Sequence, residues 1–186
     1  MTFNDLEVLS EVYAIHDAMD YQDPPFSCSA IMERLFPEID VVARKMEEHA
    51  IIEVYRKPLP NKKQAVVAYN EEAHHSTQRF SISHELAHWI FDFRRGEAPL
   101  APVSCANNGR RLFPERRADF FAAELLCPLW VLNQHVDFEI WPDKEDEDAV
   151  ARRDQKVQRL ASRFNLSMRC MRRRVGDLHA WRKIHR

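Results

Sequence analysis

At 186 residues, 45% of them apolar and including 11 Phe and 4 Trp, the chain holds enough apolar material for one packed domain, or one domain with an appendage, and its composition is not that of a disordered protein. A formal net charge of −2 removes any overall electrostatic reason to expect nucleic acid or an anionic membrane as partner. Three glycines exclude a glycine-rich phosphate loop, and no apolar run approaches the length that spans a bilayer.

In chain order, Leu6, Leu9, Val12 and Tyr13 recur at helical spacing and predict a helix over residues 6–19, which Asp23-Pro24-Pro25 ends. Cys28 to Phe36 and Val41 to His49 predict two further short helices, divided at Pro37. Ile51 to Tyr55 and Gln64 to Tyr69 are β-rich runs separated by turn material with Pro58, Pro60 and Asn61, and they predict a hairpin. Ser76 or Thr77 can cap a helix that runs to about Arg94, with Gly96 ending it. After a breaker-rich loop, Pro114 suits the first position of a helix over 115–126, closed by Pro128. Residues 157–164 and 168–175 predict a helix pair around Asn165-Leu166-Ser167. The expected organisation is a core over residues 1–135 and, over 136–186, an acidic connector followed by a basic, helix-turn-helix-like segment.

Charge is uneven along this plan. Seven of the residues from Asp137 to Asp148 are acidic, whereas Ala151 to Arg186 carries twelve Lys or Arg against Asp154 and Asp177. Such runs are ordinarily solvated faces, and a basic tail that meets a partner is the sharper reading. Cys28, Cys105, Cys127 and Cys170 lie far apart with no C-x-x-C spacing, as expected of reduced thiols. The start MTFNDLEVLSEVYAIHD lacks a basic segment followed by an apolar one, so the expectation is a cytoplasmic protein without membrane attachment.

The stretch SISHELAHWIFDF carries the chemistry. On a helix, His84 and His88 stand on one face, one turn apart, and their imidazoles can share one ion at the distance zinc prefers. Glu85, rotated about 100° by helix geometry, sits beside that ion and can take a proton from water activated there. Ile82, Leu86, Trp89 or Ile90, and Phe93 fall on a separate stripe that can face the core. A shuffled chain of this composition would contain H-E-x-x-H about 4 times in 100, so the motif needs a third ligand to support it. PERRADFFAAELLCP offers Glu115 and, one turn on, Asp119. Glu115 can reach the ion, and Asp119 can accept the remaining ring N–H of a ligating histidine. Ala118 and Ala122 are small enough to let two helices approach. Glu124 on the same helix, and Glu139 with Asp143, are rivals for the third position.

RFSISHELAHWIFD followed by ERRADFFAAELLCP resembles the ImmA/IrrE family of metallopeptidases, whose pattern runs R-F-[ST]-x-x-H-E-x-x-H and later E-x-x-A-[ND]-x-F-A-A-x-L-L-M-P. AVVAYN upstream and LASRFNLSMRCMRRRV downstream match in character the strand and the terminal helix pair of that family, so the likeness covers roughly residues 45–178. The resemblance implies that His84, His88 and Glu115 ligate zinc and that Glu85 is the base. It also implies a small α+β, gluzincin-like (zincin-like) fold: mostly helical, with a short antiparallel sheet beside the H-E-x-x-H helix and a C-terminal helix pair. Arg117 stands where the family often has Glu, and Cys127 replaces the usual Met; neither change removes a ligand.

The expected activity is a zinc-dependent endopeptidase. By resemblance its substrate is a helix-turn-helix (XRE-type) repressor of the same regulatory or mobile-element system, cleaved to derepress genes. The alternatives are a non-proteolytic transcriptional or stress regulator that binds repressor or DNA around a structural zinc site, and a toxin–antitoxin component. Glu85 and an open metal sphere favour the enzyme, because structural zinc is ordinarily closed by four protein ligands. The terminal pair is expected first to close the core, and direct DNA binding by Arg169, Arg172, Arg173 and Arg174 on or near its second helix is the alternative. His74, His75 and Tyr69 lie near the strand-to-helix entry and are candidates for substrate contact or oxyanion stabilisation.

Overall fold

The β-branched run Ile39-Asp-Val-Val-Ala-Arg44 forms strand β1, and with Ala50–Val54 (β2) and Ala65–Asn70 (β3) it makes a three-stranded sheet in the order β1-β3-β2. This computed structural model describes residues 3–21, 23–55, 63–94, 113–136 and 147–184. Strands β2 and β3 pair antiparallel, Ile52 opposite Val67, as the hairpin expectation has it. Strand β1 pairs parallel to β3, Val41 opposite Val67, so the sheet is mixed rather than purely antiparallel. The third helix expected over 41–49 is therefore corrected: Val41 and Val42 lie in a strand. Its partner sits more than twenty positions away in the chain, and parallel pairing leaves no local turn signal.

Helices α1 (Phe3–Met19) and α2 (Cys28–Leu35) precede the sheet. Val8, Val12 and Ile15 of α1 are buried, and Ser27 caps α2 by accepting the Ala30 N–H. Both β2 and β3 pack against α3 (His75–His88). The buried face of α3 carries Ser76, Arg79, Ser83 and Ala87 beside Leu86. Side chains as small as Ser83 and Ala87 allow close packing, and Ser83 Oγ bonds back to the Arg79 carbonyl at 3.0 Å while meeting Cys28 Sγ at 3.2 Å. The cap of α3 is His74, whose ring nitrogen accepts the Ser76 N–H, one position before the expected hydroxyl residues.

The helix expected to run on to Arg94 changes type instead. From Trp89 to Phe93 it widens into a single π-turn, closed by the Arg94 N–H on the Trp89 carbonyl at 2.8 Å. Trp89, Ile90 and Phe91 are buried there, with Phe91 edge-on to Phe121 of the next helix. That helix, α4 (Phe113–Leu126), keeps Pro114 within its first turn. A short helix α5 (Leu129–His135), not anticipated, starts at Pro128. The terminal pair is α6 (Glu147–Phe164) and α7 (Met168–Ile184), both longer than the apolar periodicity suggested. Asn165 between them holds φ at 52°, the left-handed turn that Asn tolerates.

The chain falls into two compact units. One comprises Met1–Asp20 and Ser27–Leu125; its interior includes Val12, Ile31, Val67, Leu86 and Phe121. The other comprises Tyr21–Phe26 and Leu126–Arg186, with Leu132, Val157, Phe164, Met171 and Leu178 buried. Within this second unit Arg174 is 1% exposed and donates twice to the Cys127 carbonyl, at 2.7 and 3.0 Å. Among the described residues no helix is long and apolar enough to cross a membrane. The acidic run over 137–146, the loop over 95–112 and Cys105 lie outside the described residues.

Candidate active site

Helix α3 delivers His84 and His88 one turn apart, and the first turns of α4 deliver Glu115 and Asp119 against them. The Nε2 atoms of the two histidines are 3.1 Å apart. Glu115 Oε2 lies 3.3 Å from Nε2 of His84, and its Oε1 lies 3.4 Å from Nε2 of His88. These three residues are the group that could hold an ion among the described residues. Glu124, the rival on α4, is buried at 1% exposure and is not a member of that group. Glu139 and Asp143 lie outside the described residues.

The outer ring nitrogens decide what the inner ones can do. His84 Nδ1 is 3.1 Å from Asp119 Oδ1, and His88 Nδ1 is 2.7 Å from Asp92 Oδ2. An ionised carboxylate only accepts, so each Nδ1 carries the proton and donates it. In the neutral rings both Nε2 atoms are then bare lone pairs, aimed at each other and at the anionic Glu115. Such a convergence of acceptors requires a positive charge at its centre. Donors arranged tetrahedrally about a zinc-sized ion stand roughly 3.3 Å from one another, given bonds of about 2.0–2.1 Å. The observed 3.1, 3.3 and 3.4 Å are close to that edge, with Glu115 facing His84 through Oε2 and His88 through Oε1, and the three residues fit a divalent metal.

Without a metal, a proton takes that role. Burial alone would lower the His84 pKa, but its hydrogen bonds to Asp119 and Glu115 and the charge of Glu85 outweigh burial and lift it to about 9. Glu85 is pushed upward, first by burial and further by Glu115, against the opposing pull of His84 and His88. The nearby Ile52 backbone opposes that rise slightly.

Glu85 thus lies near β2, the outer strand of the sheet among the described residues. The Tyr55 N–H bonds to the Gln64 carbonyl and the Asn70 N–H to the His49 carbonyl, so odd-numbered residues of β2 face β3. By antiparallel alternation, Ala50, Ile52 and Val54 turn their N–H and C=O groups outward.

The peptidase M78 family, described as IrrE N-terminal-like domain, matches residues 37–175. The chain belongs to this family. The resemblance read from the H-E-x-x-H and E-x-x-x-D segments is thereby borne out, and with it a small α+β zincin-like domain. Membership implies a metallopeptidase and a metal cofactor. No curated protein matches the chain.

Residues 37–175 of the M78 match include both metal-facing segments and the first turns of α7, but start after α1 and α2. Of the remaining candidates, His74 caps α3, and with a rise of about 1.5 Å per residue it stands roughly 15 Å along the helix from His84. Tyr69 lies in β3 opposite Ala50 and Ala43. Reading the motif alone missed Asp92, although its spacing of four from His88 on one helix was a usable signal. It also gave no role to strand β2, which only tertiary packing brings beside α3.

Proposed function

We propose that this M78 member is a zinc-dependent endopeptidase that cleaves a specific protein, a helix-turn-helix (XRE-type) repressor in particular, and so derepresses genes. One observation carries the peptidase reading: a preorganised His84–His88–Glu115 donor set with Glu85 beside it, near the outer strand of the sheet among the described residues. When bound, the ion would supply a Lewis acid that polarises a carbonyl and makes water nucleophilic at neutral pH. Asp119 and Asp92 hold the two imidazoles in the tautomer that presents Nε2 inward. Glu85, with its pKa raised by burial, accepts the proton of the attacking water and returns it to the leaving amine. Among the described residues β2 pairs on one side only, and its outward amides and carbonyls suit an extended peptide, which can add to such an edge by backbone hydrogen bonds. The choice of a repressor as substrate rests on the family resemblance.

The test is co-expression of this chain, as wild type or Glu85→Gln, with an XRE-type repressor from the same source, read by gel and mass spectrometry. Gln keeps the size of Glu but cannot take the proton, so a discrete repressor fragment should appear with wild type and vanish with the variant. An intact repressor in both cases would sink proteolysis of that substrate.

A second reading draws on the terminal pair. Helices α6 and α7 bury Leu160, Ala161, Phe164, Leu166 and Met171 around the Asn165 turn, and leave Arg169, Arg172 and Arg173 exposed on the first turns of α7. That pattern supports a DNA-binding or repressor-binding regulator. Relief of repressor–DNA binding by wild type and Glu85→Gln alike, without cleavage, would favour this reading.

A further inference from the structure

Asp92 is held from two sides. Its Oδ2 takes the Nδ1–H of His88, and its Oδ1 takes the guanidinium of Arg117. Arg117 lies on α4, two residues after Glu115 and two before Asp119. Its guanidinium rests over the Phe91 ring, 4.9 Å from the centroid, and 5.5 Å from that of Phe113. Both partners are largely buried, Arg117 at 15% and Asp92 at 20% side-chain exposure, so the pair is shielded from the screening that weakens surface ion pairs.

We propose that Arg117 is a positioning residue of the metal centre: it acts through Asp92 on His88, and it ties the start of α4 to the π-turn so that Glu115 stays opposite the two histidines. The inference rests on the metal-centre reading of His84, His88 and Glu115. Besides Glu115 itself and the Phe91–Phe121 packing, two charged contacts tie α4 to the histidine-bearing helix and its π-turn, and they differ in kind. Asp119 reaches His84 directly from α4. His88 takes its carboxylate from its own helix, four residues on, and a carboxylate on that turn says nothing about where α4 lies. Arg117 makes the second connection. With its planar fork stacked on Phe91 and bonded to Asp92, it fixes the carboxylate that fixes the ring, and does so from the helix that carries the third ligand. The π-turn is what brings Asp92 and Phe91 to the same guanidinium, in keeping with the frequent use of such turns at functional sites.

The full chain is tested as wild type, Arg117→Gln, Arg117→Lys, Asp92→Asn and the double variant Arg117→Gln/Asp92→Asn. The readouts are Zn²⁺ affinity by chelator competition, the visible spectrum of the Co²⁺-substituted protein, and the melting temperature of the metal-free protein. Arg117→Gln should weaken Zn²⁺ binding about 10- to 100-fold and shift the Co²⁺ bands, the scale expected for an outer partner of a ligand. Arg117→Lys, which keeps the charge without the fork, should recover part of the affinity and covers the case in which Arg117→Gln folds poorly. In the Asp92→Asn background, Arg117→Gln should weaken binding no further. Wild-type Zn²⁺ affinity and an unshifted Co²⁺ spectrum in Arg117→Gln would overturn the inference, even if the metal-free protein melted earlier. Independent losses that multiply in the double variant would overturn it too. Wild type that takes up neither Zn²⁺ nor Co²⁺ would instead bring down the metal-centre reading, and this inference with it.

Discussion

Asp119 and His84 meet across two helices, with the carboxylate Oδ1 3.1 Å from the ring Nδ1. The contact holds the imidazole in the tautomer that presents Nε2 to Glu115 and His88. Asp119→Ala should fold and still bind metal, with affinity or activity reduced about 10- to 100-fold. Chelator competition measures the first and cleavage of the co-expressed repressor the second. If both are unchanged, Asp119 is only an acid on the helix surface.

Glu115 and Glu124 make opposite predictions from the same helix. The purified protein should carry about one zinc-type ion per chain. Glu115→Ala should lose it, by more than the 10- to 100-fold expected from an outer partner, because a direct ligand is gone. Glu124→Gln should keep it, since Glu124 is not in the convergent group. Metal content by elemental analysis after dialysis separates the two. Full retention by Glu115→Ala would move the third ligand elsewhere.

The His84 pKa, lifted to about 9 in the metal-free site, sets a pH dependence. The group is a base whose folded pKa lies above its unfolded value of about 6.5. Its stabilising contribution is therefore fully present below pH 6.5 and is lost as pH rises through 9, an effect on the order of 3 kcal/mol before counting coupling to Glu115 and Asp119. Metal must displace the same proton, so stabilisation by added zinc should grow over that interval. Urea denaturation from pH 6 to 9.5, with chelator and with zinc, measures both trends. A chelated protein equally stable across the interval would contradict the charged, carboxylate-held His84.

Arg174 is more deeply buried than the other buried arginines, Arg79 and Arg182, and it donates twice to the Cys127 carbonyl and once to Asp177 at 3.4 Å. Arg174→Ala leaves that carbonyl without its charged donor and opens space in the second unit. The expected loss is about 3 kcal/mol, with Arg174→Met losing less because the volume is largely kept. Denaturant midpoints at constant slope report the difference. An Arg174→Ala protein within about 0.5 kcal/mol of wild type would make the buried bonds energetically idle.

The sequence alone determined the parts of the site whose geometry is local. The pairs His84–His88 and Glu115–Asp119 are each four apart on one helix, so helical pitch places both members on one face whatever surrounds them. The same holds for the pairing of β2 with β3, which are close in sequence with Pro58 and Pro60 between them, and for the α6–α7 pair around Asn165. His88 and Asp92 obey the same spacing, and Asp92 was legible in principle.

Tertiary structure alone decided which acid on α4 meets the histidines: Glu115 converges on Nε2 and Glu124 does not, a matter of where α4 crosses rather than of its pattern. It also decided that residues 39–44 form a strand, because the partner that satisfies their backbone is β3, and parallel partners are remote in sequence. Packing of α3 on β2 set the Ile52 backbone near Glu85, which helical spacing alone could not place. Arg117 looked like a departure from the family pattern until the π-turn brought Asp92 beneath it. A change of helix pitch at Trp89 rests on packing by Trp89, Ile90 and Phe91, and a lone segment carries no record of the surfaces it will be packed against.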